Sequence, residues 1–109
     1  MSKKKPDPPR RYAAFKKAHP DIVRAYEALG GACHQAGPLD EKTRELVKLG
    51  IALGAGLESA SRAHVRLARA AGLTRAEIQH AVLLSATTIG FPSMMKGLTW
   101  VGEELVRKG

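Results

Sequence analysis

Among the residues of this 109-residue chain that could do chemistry, His64 is the best placed. It falls on the apolar face of the helix expected around it, where an imidazole that titrates near neutral pH could exchange a proton with a substrate. A carboxylate nearby would orient it, and two acids are candidates, Glu45 and Glu58. Glu45 is the better partner because its helix is expected to run beside that of His64. The plainer reading makes His64 a structural hydrogen-bonder and both acids solvated charges at helix ends. The four histidines, His19, His34, His64 and His80, show neither His-x-x-x-His nor His-Glu-x-x-His spacing, so no helix-borne metal site is expected. The single cysteine, Cys33, excludes an intrachain disulfide, a Cys-x-x-Cys pair and a cysteine-rich zinc site within one subunit. Cys33 and His34 are adjacent, but neighbouring helix residues point about 100° apart and cannot face each other. Cys33 shares an apolar stripe with Tyr26 and Leu29 and reads as a buried structural thiol, in a setting that raises a thiol pKa.

Helices must position these groups. Tyr12, Phe15 and Ala18 recur at helical spacing and stop at Pro20, which opens a second helix marked by Ile22, Val23, Tyr26, Leu29 and Cys33. It runs to about His34, is weakened at Gly30-Gly31, and breaks at Gly37-Pro38. Asp40 is the N-cap expected for a third helix whose core candidates are Leu46, Val47, Leu49, Ile51 and Leu53, ended by Gly54 and Gly56. A fourth, from about Glu58 to Ala71, sets Ala60, Ala63, His64, Leu67 and Ala71 on one face and Arg62, Arg66 and Arg69 largely on the other. Gly50, Ala52, Gly54, Ala60 and Ala63 are small where the third and fourth helices would meet, predicting a tight antiparallel pair. Thr74 and Glu77 form a capping box that starts a fifth helix through Ile78, Ala81, Val82, Leu84, Ser85 and Ile89. After Gly90-Phe91-Pro92 a sixth carries Met94, Leu98, Val101 and Leu105. Strand-like alternation is absent, so the fold class is all-α with about six short helices.

Apolar residues make up 44% and charged residues 26% of the chain, a globular balance, and no apolar run approaches the roughly 18 residues of a membrane span. The net charge is +8, and five of the eighteen basic residues lie in the first eleven positions among three prolines. Residues 1–11 are therefore expected to be a basic flexible tail, and 12–109 one domain. The tail is basic without an apolar segment or cleavage site behind it, so the expected location is cytoplasmic. With no aromatic residue interleaved, it reads as a solubility feature rather than a nucleic-acid arm.

Leu39-Asp-Glu-Lys-Thr-Arg-Glu45-Leu-Val-Lys-Leu-Gly-Ile-Ala-Leu53 followed by Ser61-Arg-Ala-His64 resembles the central segment of the carboxymuconolactone decarboxylase-like family. Arg66 through Ile78 is similar to its second block, and Gly90-Phe-Pro92 with Gly97 through Glu104 to its closing helix. The resemblance covers about residues 20 to 106 and implies the alkylhydroperoxidase D-like helical fold. It also implies a homo-oligomer, trimer or hexamer, with any pocket near the subunit interface. That six short helices would leave the Met94-Met95 and Trp100 flanks bare in a monomer points the same way. Peroxidase members carry a glutamate, then Cys-x-x-Cys-x-x-x-His; here Glu45 and His64 match, but Leu57 and Ala60 occupy the thiol positions. The resemblance therefore implies loss of thiol peroxidase chemistry. The lactone-decarboxylase branch carries Gly-x-Glu-His before the same histidine. This chain reads Gly56-Leu-Glu58-Ser59, so Glu58 matches and Ser59 stands in place of a second histidine. His34 replaces a position that is usually aromatic in the family, which makes it a candidate pocket-wall residue beside Ser59.

The function expected is a cofactor-free, decarboxylase- or lyase-like site for a small organic acid or lactone, with His64 as acid or base, Glu45 and Glu58 in support, and His34 and Ser59 touching substrate. Three alternatives stand beside it. One is a degenerate family member that only binds or assembles, and another is an alkylhydroperoxidase-type antioxidant protein. The third is a nucleic-acid module, because Leu67 to Val82 reads superficially as helix-turn-helix. Its second helix, running through Ala81, Val82, Leu83 and Leu84, lacks the polar face that base reading needs.

Overall fold

In the computed structural model the described residues are 9–107, and every regular element among them is helical. The six α-helices are α1 (Arg10–Ala18), α2 (Pro20–Gln35), α3 (Glu41–Gly54), α4 (Glu58–Ala70), α5 (Arg75–Leu83) and α6 (Phe91–Val106). Helix α1 starts two residues before Tyr12, inside the stretch expected to be tail; residues 1–8 of that tail lie outside the described residues. The described residues divide into two compact units, one up to Leu39 and one from Asp40 onward. The division falls just after Gly37-Pro38, where α2 has ended.

In the first unit, α2 begins with Pro20, whose ring fixes a helical φ where no amide partner is needed. It continues through Gly30-Gly31 without interruption. Tyr12 donates to Glu27 (3.4 Å), and Lys16 approaches the same carboxylate at 3.6 Å, tying α1 to α2. The apolar stripe of α2 does not become a buried face within the chain. Only Val23 is buried, whereas Ile22, Tyr26 and Leu29 are exposed, and so is Cys33, contrary to the expected structural thiol. Periodicity marks a face that could be covered; it does not supply the cover.

The second unit holds the core. Asp40 caps α3 by accepting from the Thr43 amide (2.8 Å), and the hydrogen bonds with Thr43 hold its carboxyl below the ordinary range. The Thr74–Glu77 capping box is complete, with bonds of 3.0 and 2.8 Å. Between these starts, α4 packs against both α3 and α6, and α5 closes on α6. Leu49 and Leu53 of α3, Val65 and Ala68 of α4, Ile78 and Val82 of α5, and Met94, Val101 and Leu105 of α6 make one apolar cluster.

Two expected core residues of α3, Val47 and Ile51, are exposed, and Ala52 is buried instead. The glycines expected at the α3–α4 contact are not there, since a Cβ added at Gly50 or Gly54 would meet nothing within 4 Å. Close approach is made by Gly97 on α6, where an added Cβ would lie 3.0 Å from Leu53 Cδ2 and 3.4 Å from Val82 Cγ1. Regular α5 stops at Leu83, short of Ile89, and Leu84–Thr87 tightens into a 3-10 turn. The cause is local: Ser85, Thr87 and Thr88 donate their hydroxyls to carbonyls three residues back, competing with the α-helical ladder.

Candidate functional site

The buried face of α4 lies one residue away from the expected one, on Ser61, Val65 and Ala68. His64 is thereby placed at the edge of that face rather than in its middle, with its side chain 17% exposed. The neighbouring helix explains why an imidazole is stable there. Glu45 on α3 is buried, its side chain 7% exposed, and its Oε1 lies 3.0 Å from His64 Nδ1. Against a carboxylate oxygen, which can only accept, Nδ1 serves as the donor, and Nε2 is the ring nitrogen that this pair does not use. The structure thus brings together the two residues that head the expected constellation, from two elements nineteen positions apart.

The other expected members sit elsewhere. Glu58, in the first turn of α4, is six residues before His64, about 240° around the helix. Its Oε2 accepts from Arg62 Nε at 3.0 Å, so it joins an arginine rather than the imidazole. Ser59 is exposed in the same first turn, and His34 is partly buried on α2, in the other compact unit. Of the two thiol positions of the peroxidase pattern, Ala60 precedes His64 by four residues and shares its side of α4, and Leu57 is the residue just before the helix.

A second polar cluster on α4 was not foreseen. Arg62 and Arg66 lie about 200° around the helix from His64, on the other face as expected, and are held there by acids of α6. Arg62 NH1 (3.1 Å) and Arg66 NH1 (3.0 Å) donate to Glu104 of α6, joined by Arg107 at 3.2 Å. The Glu104 side chain is only 1% exposed. Burial alone would raise its pKa, but the hydrogen bonds from Arg66, Arg62 and Arg107 outweigh that and hold the carboxyl below its usual range. Arg62 also donates to Glu103 at 2.6 Å. That bond, opposed by partial desolvation and reinforced by Glu104 and Glu58, keeps Arg62 more firmly protonated than a free arginine. The sequence signal was present: Glu104 falls at core spacing with Met94, Val101 and Leu105, and an acid there requires buried cations.

Helix α4 is therefore polar on two sides, toward α3 through a single imidazole–carboxylate pair and toward α6 through a charge-balanced cluster. Each acid of the cluster already accepts from an arginine, whereas the α3 side keeps an uncommitted ring nitrogen. Among the described residues no group of three or more His, Cys, Asp or Glu side chains is disposed to hold a metal ion, and no helix is long and apolar enough to cross a membrane.

Comparison with known proteins agrees with this framework. An uncharacterized protein of Haemophilus influenzae is 44% identical over 48 residues, covering 44% of this chain and 42% of that protein. The match thus spans less than half the length of that curated relative. No solved structure matches. The model of the carboxymuconolactone decarboxylase family matches residues 20–103, a span that runs from the first residue of α2 into the last turns of α6 and includes both Glu45 and His64. On that match the chain belongs to the carboxymuconolactone decarboxylase family.

Proposed function

We propose that His64 acts as a general acid or base on a small organic acid or lactone, held in orientation by Glu45, in a cofactor-free, decarboxylase- or lyase-like reaction. The same reading makes the working form a cytoplasmic homo-oligomer, a trimer or hexamer. The observation that carries it is the 3.0 Å contact between Glu45 Oε1 and His64 Nδ1. It supports a ring held at one nitrogen while the other can take a proton from substrate or return one. Glu58 is left out of the mechanism because its carboxylate is engaged by Arg62 on another side of α4.

The test is a thermal-shift screen of the full chain against small carboxylates and lactones, run in parallel on His64→Ala. A ligand at a hundred times its Kd stabilises the folded state by about 2.7 kcal/mol, well within the reach of such a screen. The expected result is a compound that raises the melting temperature of the wild type and not of the variant. Compounds that raise both equally would place the ligand elsewhere, and a screen without hits would favour the degenerate, non-catalytic alternative.

Thiol peroxidase activity is not expected. Peroxide reduction requires a thiolate to attack the oxygen and a second thiol to resolve the sulfenic acid, and the sequence holds one cysteine. Exposure makes Cys33 accessible to oxidants without providing the resolving partner. With a dithiol reductant and an alkyl hydroperoxide, turnover should be at background, and Cys33→Ser should leave activity on any carboxylate or lactone unchanged. A peroxidase turnover that disappears in Cys33→Ser would make Cys33 a relocated peroxidatic thiol.

A further inference from the structure

Helix α6 has a second apolar face. Its core side carries Met94, Gly97, Val101 and Leu105. Beside it, Phe91, Met95, Leu98, Thr99, Gly102 and Val106 form an uncharged stripe about 100° wide along the helix, which borders the core side at Leu98, itself partly buried against the core. Phe91 is 63% exposed, Met95 46% and Val106 69%, so these three large side chains of the stripe are uncovered within the chain. Gly102 lies in this stripe with open space where a Cβ would stand. A mid-helix glycine weakens a helix, and nothing inside the chain requires this one.

The order of side chains in the stripe identifies what covers it. Laid antiparallel on a copy of itself about a point between Leu98 and Thr99, Phe91 faces the partner's Val106, Met95 faces the partner's Gly102, and Leu98 faces the partner's Thr99. The long methionine is set against the missing side chain, so large meets small twice by symmetry, as close helix packing demands. The charges fit the same register. Lys96 and Glu103 are the charged residues bordering the stripe, and both lie on one edge of it. In the antiparallel pair, Lys96 comes within about 3 Å along the axis of the partner's Glu103, and the contact occurs twice. Parallel pairing would instead carry the two charged edges to opposite sides of the contact, so that Lys96 and Glu103 would meet no charge of the partner.

We propose that two copies of this chain associate through α6, antiparallel across a two-fold axis between Leu98 and Thr99, with Met95 seated over the partner's Gly102 and Lys96 paired with the partner's Glu103. This rests on the homo-oligomer reading above and names the surface that makes it. It also selects among assemblies: a hexamer built as two trimers contains two-fold axes, and a lone trimer contains none.

The register is tested by disulfide trapping in the full chain with Cys33→Ser. Residue 99 lies beside the axis, so Thr99→Cys should place two thiols within bonding distance. Met95→Cys sets its two copies about 10 Å apart along the axis and should not cross-link. On a non-reducing gel Thr99→Cys is expected to run as a covalent dimer and Met95→Cys as a single chain. Light scattering at micromolar concentration should give an even number of subunits for the wild type. Met95→Arg should weaken association at least about a hundredfold while its circular dichroism keeps the wild-type helix content, because a buried arginine at the glycine contact has no partner. A monomeric wild type would overturn both the oligomer reading and the surface. An oligomer that neither cross-links at Thr99→Cys nor responds to Met95→Arg would overturn the α6 surface alone, whether another face or another occupant then proves responsible.

Discussion

Glu104→Gln is expected to lower the unfolding free energy by about 3 kcal/mol or more, the usual cost of breaking a buried ion pair by removing one partner. In a domain of this size that corresponds to a drop in melting temperature of roughly 12 °C or more. The substitution keeps the shape but leaves the largely buried Arg66 without its carboxylate, and Arg62 with only the more exposed Glu58 and Glu103. The same group sets an acid limb. Its pKa in the folded protein lies below the ordinary carboxylate value, so its contribution is complete above that ordinary value and is lost as pH falls through the lower, folded one. Wild-type melting temperature should therefore fall steeply in acid, and that of Glu104→Gln should fall less. Arg107→Ala is the control, because that side chain is mostly exposed and its bond should contribute at most about 1 kcal/mol. If Glu104→Gln melts within a degree or two of Arg107→Ala, the cluster is a surface decoration and not the clamp between α4 and α6.

The second large effect concerns turnover. On the compound that the thermal-shift screen identifies, His64→Gln should reduce kcat by about 100- to 10,000-fold, the range that a positioned general acid or base contributes. Glu45→Gln should reduce it less, by roughly 10- to 100-fold, because the amide oxygen can still accept from Nδ1, though through a weaker bond between neutral groups. In both variants the loss should fall on kcat with KM little changed, and circular dichroism should match the wild type. If KM rises while kcat holds, the imidazole binds the substrate and takes no part in moving its proton.

Much of this architecture was legible in the residues, and the exceptions share a physical cause. Starts were readable because caps are local: Asp40 satisfies Thr43 and Thr74 satisfies Glu77 within one turn, whatever the rest of the chain does. Ends were harder where side chains compete for the backbone, as at Ser85, Thr87 and Thr88. The pairing of Glu45 with His64 was foreseen because the two helices adjoin in the chain. The Arg62–Glu104 contact joins residues 42 positions apart and needed the packing of α4 on α6 to be known first. Burial was the least legible property. Val47, Ile51 and Leu29 are as apolar as Leu49 and Val65, and only the arrangement of neighbouring helices separates the covered from the bare.

The tightness around Gly97 links three positions in any variation of this chain. A methyl gained at 97 would stand 3.0 Å from Leu53 Cδ2 and 3.4 Å from Val82 Cγ1, so those side chains must give by a few tenths of an ångström or lose carbon to admit it. Substitutions that are each harmful alone, such as Gly97→Ala and Leu53→Ala, can offset one another when combined, because one fills the volume the other vacates. The route between such sequences then passes through a less stable intermediate, so α3, α5 and α6 are bound to change as a set.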